Sequence, residues 1–180
     1  MKLSDPEVNA ALKDKLSNQA GRHLYVIIGS YDALDRYERS AYPELRDPVG
    51  EKMPAPVNVS RTLLARFQDE ELQKLAGSEL RQINHIKDRL YNEFDQILVD
   101  GLKESSALTL KQVELLFAFD IEFDKVRIRG VNQKHILLMI PGEMSGERIT
   151  LFHEASPEWH RTLPQALVPE DHLFELTQNG

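Results

Sequence analysis

The segment His23-Leu24-Tyr25-Val26-Ile27-Ile28-Gly29 constrains the fold more than any other. From Leu24 to Ile28 every residue is apolar or aromatic, with no polar alternation. A strand that must hide both faces belongs inside a sheet covered by helices on either side, the arrangement of parallel α/β proteins. Gly29 ends the run, and Ser30 can cap a helix carrying Leu34 and Tyr37. The unit is strand, tight turn, helix.

The rest of the chain extends this pattern. Ser4-Asp5-Pro6-Glu7 starts a helix with an apolar stripe of Val8, Ala11, Leu12 and Leu16, closed by Gly21. Pro43, Pro48, Gly50, Pro54 and Pro56 mark a loop, the segment best suited to movement. Val57-Asn58-Val59 is a short strand. The spacing of Leu63, Leu64, Phe67 and Leu72 predicts a helix over Arg61–Leu75. A second, capped by Ser78, carries Leu80, Ile83, Ile86, Leu90 and Phe94. Ile97-Leu98-Val99 reads as another bare apolar strand ending on Asp100-Gly101, and Leu110, Val113, Leu116 and Phe117 as a helix. His135 to Ile140 is the third strong strand, stopped by Pro141-Gly142. A turn at Met144-Ser145-Gly146 leads to an alternating edge strand, Arg148 to Phe152.

The expectation is one three-layer α/β domain around a mainly parallel five-stranded sheet. Residues 1–21 form an N-terminal helix, 22–164 the core, and 165–180 an acidic tail that is loosely attached. A chain of 180 residues supports such a core without staples. With no cysteine, disulfides, thiolate metal sites and cysteine nucleophiles are excluded. A net charge of -7 argues against a broad nucleic-acid-coating surface. No apolar run reaches the ~18 residues of a membrane span, and the start lacks a signal-peptide core. A cytoplasmic protein without membrane contact is expected.

A P-loop also begins with an apolar strand and a glycine, but its turn reads G-x-x-x-x-G-K-[ST]. The glycine amides cradle phosphates, the lysine neutralises them and the hydroxyl holds magnesium. Here Gly29 is followed by Ser30-Tyr31-Asp32-Ala33-Leu34-Asp35, with no second glycine, no lysine and two acids. Gly50-Glu51-Lys52 is no substitute, because Pro54 and Pro56 remove amides where a helix would have to start. Gly29, Ser30 and Asp100, the acid placed where magnesium would be held, therefore outline a degenerate nucleotide site. ATP and magnesium are disfavoured and no cofactor is expected. Glu104 and Glu114 read as solvated helix residues, so no catalytic residue is assigned. His153 and His160 straddle Pro157 and lack metal-ligand spacing, so no metal is expected either.

Three regions are candidate contact surfaces. Arg127, Arg129, Lys134 and His135 form the densest basic run; they either neutralise the nearby acids or meet a neighbour or nucleic acid. Trp159, the single tryptophan, lies among turn residues and is either an interface anchor or core. Tyr42 and Met53 flank the proline-rich loop and are candidate interface residues with it.

Three segments carry a resemblance: Val113-Glu114-Leu115-Leu116-Phe117, Phe123-Asp124-Lys125-Val126-Arg127, and Ile136 to Glu143 through Pro141-Gly142. With Ile149-Thr150-Leu151-Phe152 and Pro157-Glu158-Trp159-His160-Arg161 following, the series resembles the small P-loop protein BrxF of type 3 BREX bacteriophage-exclusion systems. The resemblance spans about Arg22 to Pro164 and departs at the phosphate loop. It implies a P-loop NTPase-like fold and a subunit of a bacterial defence complex. Larger protein subunits would be its partners, with DNA met only indirectly and self-association left open. The function expected is non-catalytic scaffolding. A nucleotide switch active only in a complex and a nucleic-acid-binding accessory module are the alternatives.

Overall fold

The computed structural model describes residues 2–67, 80–146, 148–163 and 168–178. In chain order the first half holds β1 (Lys2–Leu3), α1 (Asp5–Leu16), β2 (Leu24–Gly29), α2 (Tyr31–Ser40), β3 (Val57–Asn58) and α3 (Val59–Leu64). The second half holds α4 (Leu80–Glu104), β4 (Ala107–Lys111), α5 (Glu114–Ala118), α6 (Asp124–Arg129), β5 (His135–Ser145), β6 (Arg148–Leu151), β7 (Arg161–Leu163) and β8 (Leu173–Leu176).

All six residues of β2 are buried. The strand pairs in parallel with β5 from Leu24↔Ile136 to Gly29↔Pro141, and with β8 from Val26↔Leu173 to Ile28↔Glu175. Its side chains alternate between two cores, as the pleat requires. Leu24, Val26 and Ile28 join Leu90, Phe94 and Leu98 of α4 on one face. Tyr25 and Ile27 join Val8 and Leu12 of α1 and Leu34 and Tyr37 of α2 on the other. The three-layer α/β expectation therefore holds. The sheet is larger than the five strands expected: a parallel path runs β1-β8-β2-β5-β4-β3, and β6 and β7 add an antiparallel extension on β5.

Several expectations need correction. Ile97-Leu98-Val99 is not a strand but lies in the last third of the 25-residue helix α4. Leu90, Phe94, Ile97, Leu98 and Leu102 are all buried at helical spacing, so the 3.6-residue period passes through the apolar triplet. Gly101 sits within this helix because β4 crosses close by: a Cβ there would lie 2.7 Å from Leu108 Cδ1. The missed strand is β4, four of whose five residues are buried. Leu110 belongs to it, and the helix begins only at Glu114. Ser78, Leu72 and Gly77 lie outside the described residues.

Pro141-Gly142 does not stop β5. The strand changes partners there, leaving β2 and pairing from Gly142↔Leu151 with β6. A Cβ on Gly142 would stand 2.9 Å from Thr150 O, so the close approach requires glycine. The tail is not loosely attached either. Its residues Leu173–Leu176 form β8, inserted between β1 and β2, with Phe174, Glu175 and Leu176 buried. The alternation Leu173, Phe174, Glu175, Leu176 is too short to stand out among acids. The proline-rich loop is also pinned. Tyr42 and Met53 are buried rather than displayed, and Tyr42 Oη donates to Pro54 O at 2.6 Å and bonds Thr109 Oγ1 at 2.8 Å. Asp47 Oδ1 accepts from Val49 and Glu51 N–H at 3.0 and 2.8 Å, turning the chain back at Gly50 (φ 88°).

At the amino ends of β2 and β5 the rings of His23 and His135 stack at 4.1 Å, fully out of solvent. His23 Nδ1 shares a hydrogen bond with Tyr25 Oη at 3.0 Å, while His23 Nε2 and both His135 ring nitrogens have no partner. Burial pushes His135 down to about 4, with His23 adding repulsion and Asp47 opposing it. Burial also lowers His23, helped by the charge of His172.

Two expected outcomes follow from this arrangement. Phe174→Ala should cost roughly 3 kcal/mol in urea unfolding, as for a core aromatic, whereas a loosely attached tail would show no change. The histidine pair is neutral when folded and protonates when unfolded, so stability is complete above pH ~6.5 and falls as pH drops towards about 4. Urea titrations at a series of pH values should show a loss of about 3 kcal/mol across that window, and His135→Leu should flatten it.

Candidate functional site

The carboxyl ends of β2, β4 and β5 form one rim, the place where α/β sheets hold ligands. Gly29 closes β2 and is buried; a Cβ on it would meet Leu176 Cβ at 3.2 Å and Ala33 Cβ at 3.3 Å. Close packing against β8 and α2 thus accounts for this glycine. Ser30 is the N-cap of α2 and its Oγ accepts from Ala33 N–H at 3.1 Å. Tyr31 N–H donates to Glu154 Oε2 at 2.8 Å, and Leu34 N–H to Ser30 O at 3.0 Å. A carboxylate of the chain itself therefore occupies the positive end of the α2 dipole, an interaction worth about 1 kcal/mol.

The turn after β6 delivers that carboxylate. Phe152 N–H donates to Pro141 O at 2.8 Å and Ala155 N–H to Phe152 O at 2.9 Å. Phe152 sits at φ 58°, an outlier for a bulky residue. Across the rim, Lys111 ends β4 and its Nζ meets Glu38 Oε1 and Oε2 of α2 at 2.6 and 2.7 Å. Both side chains are about one quarter exposed (27% and 24%), so the pair is only partly screened. Gln112 follows at φ 51°.

Beside the pair lies a cleft of about 160 Å³, whose walls include Tyr31, Glu114, Phe117, Phe152, Trp159 and Arg161. Phe117 and Phe152 meet edge to face at 5.2 Å. Trp159, in the 3-10 turn Pro157–Trp159, is 54% exposed, and Tyr31 is 41% exposed. Glu114 is half-buried, not a freely solvated helix residue, and burial raises its carboxyl above the ordinary range. The Tyr31 hydroxyl is raised by burial and then by the charges of Glu114 and Glu154.

The other sequence candidates do not converge here. Asp100 lies on α4, not at a strand end, and bonds Arg66 Nη2 at 3.3 Å and Gln96 Nε2 at 2.7 Å. The basic run is dispersed. His135 is buried and neutral, and Arg129 forks onto Asp95 at 2.6 and 2.7 Å. Lys134 Nζ donates to Leu102 O and Ser105 O at the end of α4, at 2.5 and 3.1 Å. Arg127 is exposed on α6. His160 and His172 bond the separate carbonyls of Ala155 and Leu24.

Lys111, Glu38 and Glu154 escaped sequence reasoning. Lys111 would have been found by recognising Ala107-Leu108-Thr109-Leu110 as a strand; Glu154 gave no local signal, being 123 residues from its partner. Comparison with family models, curated proteins and solved structures finds no match. No described helix is long and apolar enough to cross a membrane.

Removing one partner of the Lys111–Glu38 pair leaves a half-buried charge. Lys111→Ala should destabilise by about 1–2 kcal/mol, and the double-mutant cycle with Glu38→Ala should give a coupling near 1 kcal/mol. Additive single mutants in thermal unfolding would show the pair to be unimportant.

Proposed function

We propose that this protein is a non-catalytic scaffold subunit of a multiprotein complex, built on an NTPase-like core whose nucleotide site has been filled in. The observation that carries this reading is the Glu154 carboxylate on Tyr31 N–H, where a phosphate would need the same amide. The strand order β8-β2-β5-β4-β3 puts one strand, β5, between β2 and β4, which would be the phosphate-loop and acid-bearing strands of an NTPase-like core. On that reading β4 is the acid-bearing strand, and it ends in Lys111-Gln112. A cation engaged with Glu38 stands where a magnesium-holding acid belongs. The rival nucleotide switch loses its geometric basis, because Asp100 is on α4. The resemblance to BrxF makes anti-phage defence the setting to examine first, with larger protein subunits as partners.

Isothermal titration with ATP and magnesium should give no binding heat up to millimolar nucleotide. Micromolar affinity that depends on magnesium would overturn the reading. Expressed from its native chromosomal locus, the protein should elute in a stoichiometric assembly; elution as a free monomer counts against scaffolding.

A further inference from the structure

The cleft between Tyr31 and Trp159 combines two features that select the same ligand chemistry. Its walls are aromatic, with two rings substantially exposed although each is large. Its one acid, Glu114, has no basic side chain within ion-pair distance among the described residues. The one cation on the wall, Arg161, turns Nη1 to Glu158 O and His160 O at 3.0 and 2.9 Å.

Resting on the scaffold reading above, we infer that this cleft receives an arginine side chain from a basic segment of a partner protein. A guanidinium is planar, stacks on aromatic faces and can fork onto a carboxylate, so Tyr31, Trp159 and Glu114 suit it together. A lysine ammonium would keep the charge attraction but lose stacking and the bidentate fit. Neighbouring hollows adjoin the cleft at Glu114, one lined by Ser60 and Gln112 and the other by Asp35, Glu38 and Lys111, so a short segment has room beside the inserted side chain. The chain's net charge of -7 adds long-range attraction for a basic partner. An anion is disfavoured by Glu114 and by the net charge.

Trp159 is the single tryptophan, so its fluorescence reports on this cleft alone. Titration with an oligo-arginine peptide at low salt should change that emission saturably, with oligo-lysine weaker and oligo-glutamate silent. Glu114→Gln, which retains shape, should weaken the arginine peptide by roughly tenfold, the loss expected for one charge-assisted contact. Trp159→Leu, at a half-exposed position that folding tolerates, should weaken it similarly when peptide anisotropy is read instead. No binding of oligo-arginine overturns the inference. Equal affinity in both variants overturns it too, because attraction would then be spread over the acidic surface. Tighter binding of oligo-lysine overturns the guanidinium assignment. If the peptide fails while ATP and magnesium still do not bind, the scaffold reading stands; nucleotide binding would sink that reading whatever the peptide does.

Discussion

The double-sided burial of β2 sets the geometry of everything around it. A strand without a polar face needs a neighbour on each edge and a helical layer on each side. The structure supplies β5 and β8 as edges, α1 and α2 on one face and α4 on the other. Because β2 cannot tilt or slip in register without exposing Val26, Ile27 or Ile28, the turn at Gly29-Ser30 is held at one point of the rim. The start of α2 is thereby aimed at a fixed place, and its amides require an anion or another acceptor there.

What satisfies them decides the chemistry. An open phosphate site must leave those donors free and keep positive charge near them. In this protein Ser30 Oγ and Glu154 take two of the first-turn amides, and Lys111 at the same rim is engaged with Glu38. An incoming polyphosphate would displace one carboxylate and meet others at Asp35 and Glu114, which line the hollow beside Tyr31. At a few ångströms such repulsion costs several kcal/mol in a partly buried setting. These contacts stabilise the start of α2 and the end of β4 without any ligand.

The fold was legible where the pattern was local and strong. Leu24 to Ile28, the helix start at Ser4-Asp5-Pro6-Glu7, and the Ser30 cap could all be read directly, since each rests on residues close in sequence. The reading failed where two periods compete. Ile97-Leu98-Val99 looks apolar throughout, but α4 buries only one side of it, leaving Val99 partly exposed. Thr109 and Lys111 disguise β4, because a buried threonine bonded to Tyr42 and a lysine bonded to Glu38 are made tolerable only by distant partners. The rim was therefore half legible: Gly29 and Ser30 were placed at it from sequence and Asp100 wrongly so, while Glu154 and Lys111 depend on tertiary approach. His135 was misjudged for the same reason, since basicity read from a residue type ignores burial.

Backbone strain distinguishes the two ends of the sheet. Four non-glycine residues have positive φ: Gln112, Asp120, Asn132 and Phe152 among those described. Asp120 and Asn132 are of types that adopt this conformation readily, and they sit in turns. Gln112 and Phe152 are not, and both flank the rim, directly after β4 and β6. Holding each costs on the order of 1–3 kcal/mol, and packing must overdetermine it. Phe152 is held by its bond to Pro141 O and by the edge-to-face contact with Phe117, the contacts that also wall the cleft and set Glu154 on α2. Relaxing Phe152 would release the carboxylate and open the cleft together. The strain is thus stored in the residue that couples the capped start of α2 to the aromatic cleft.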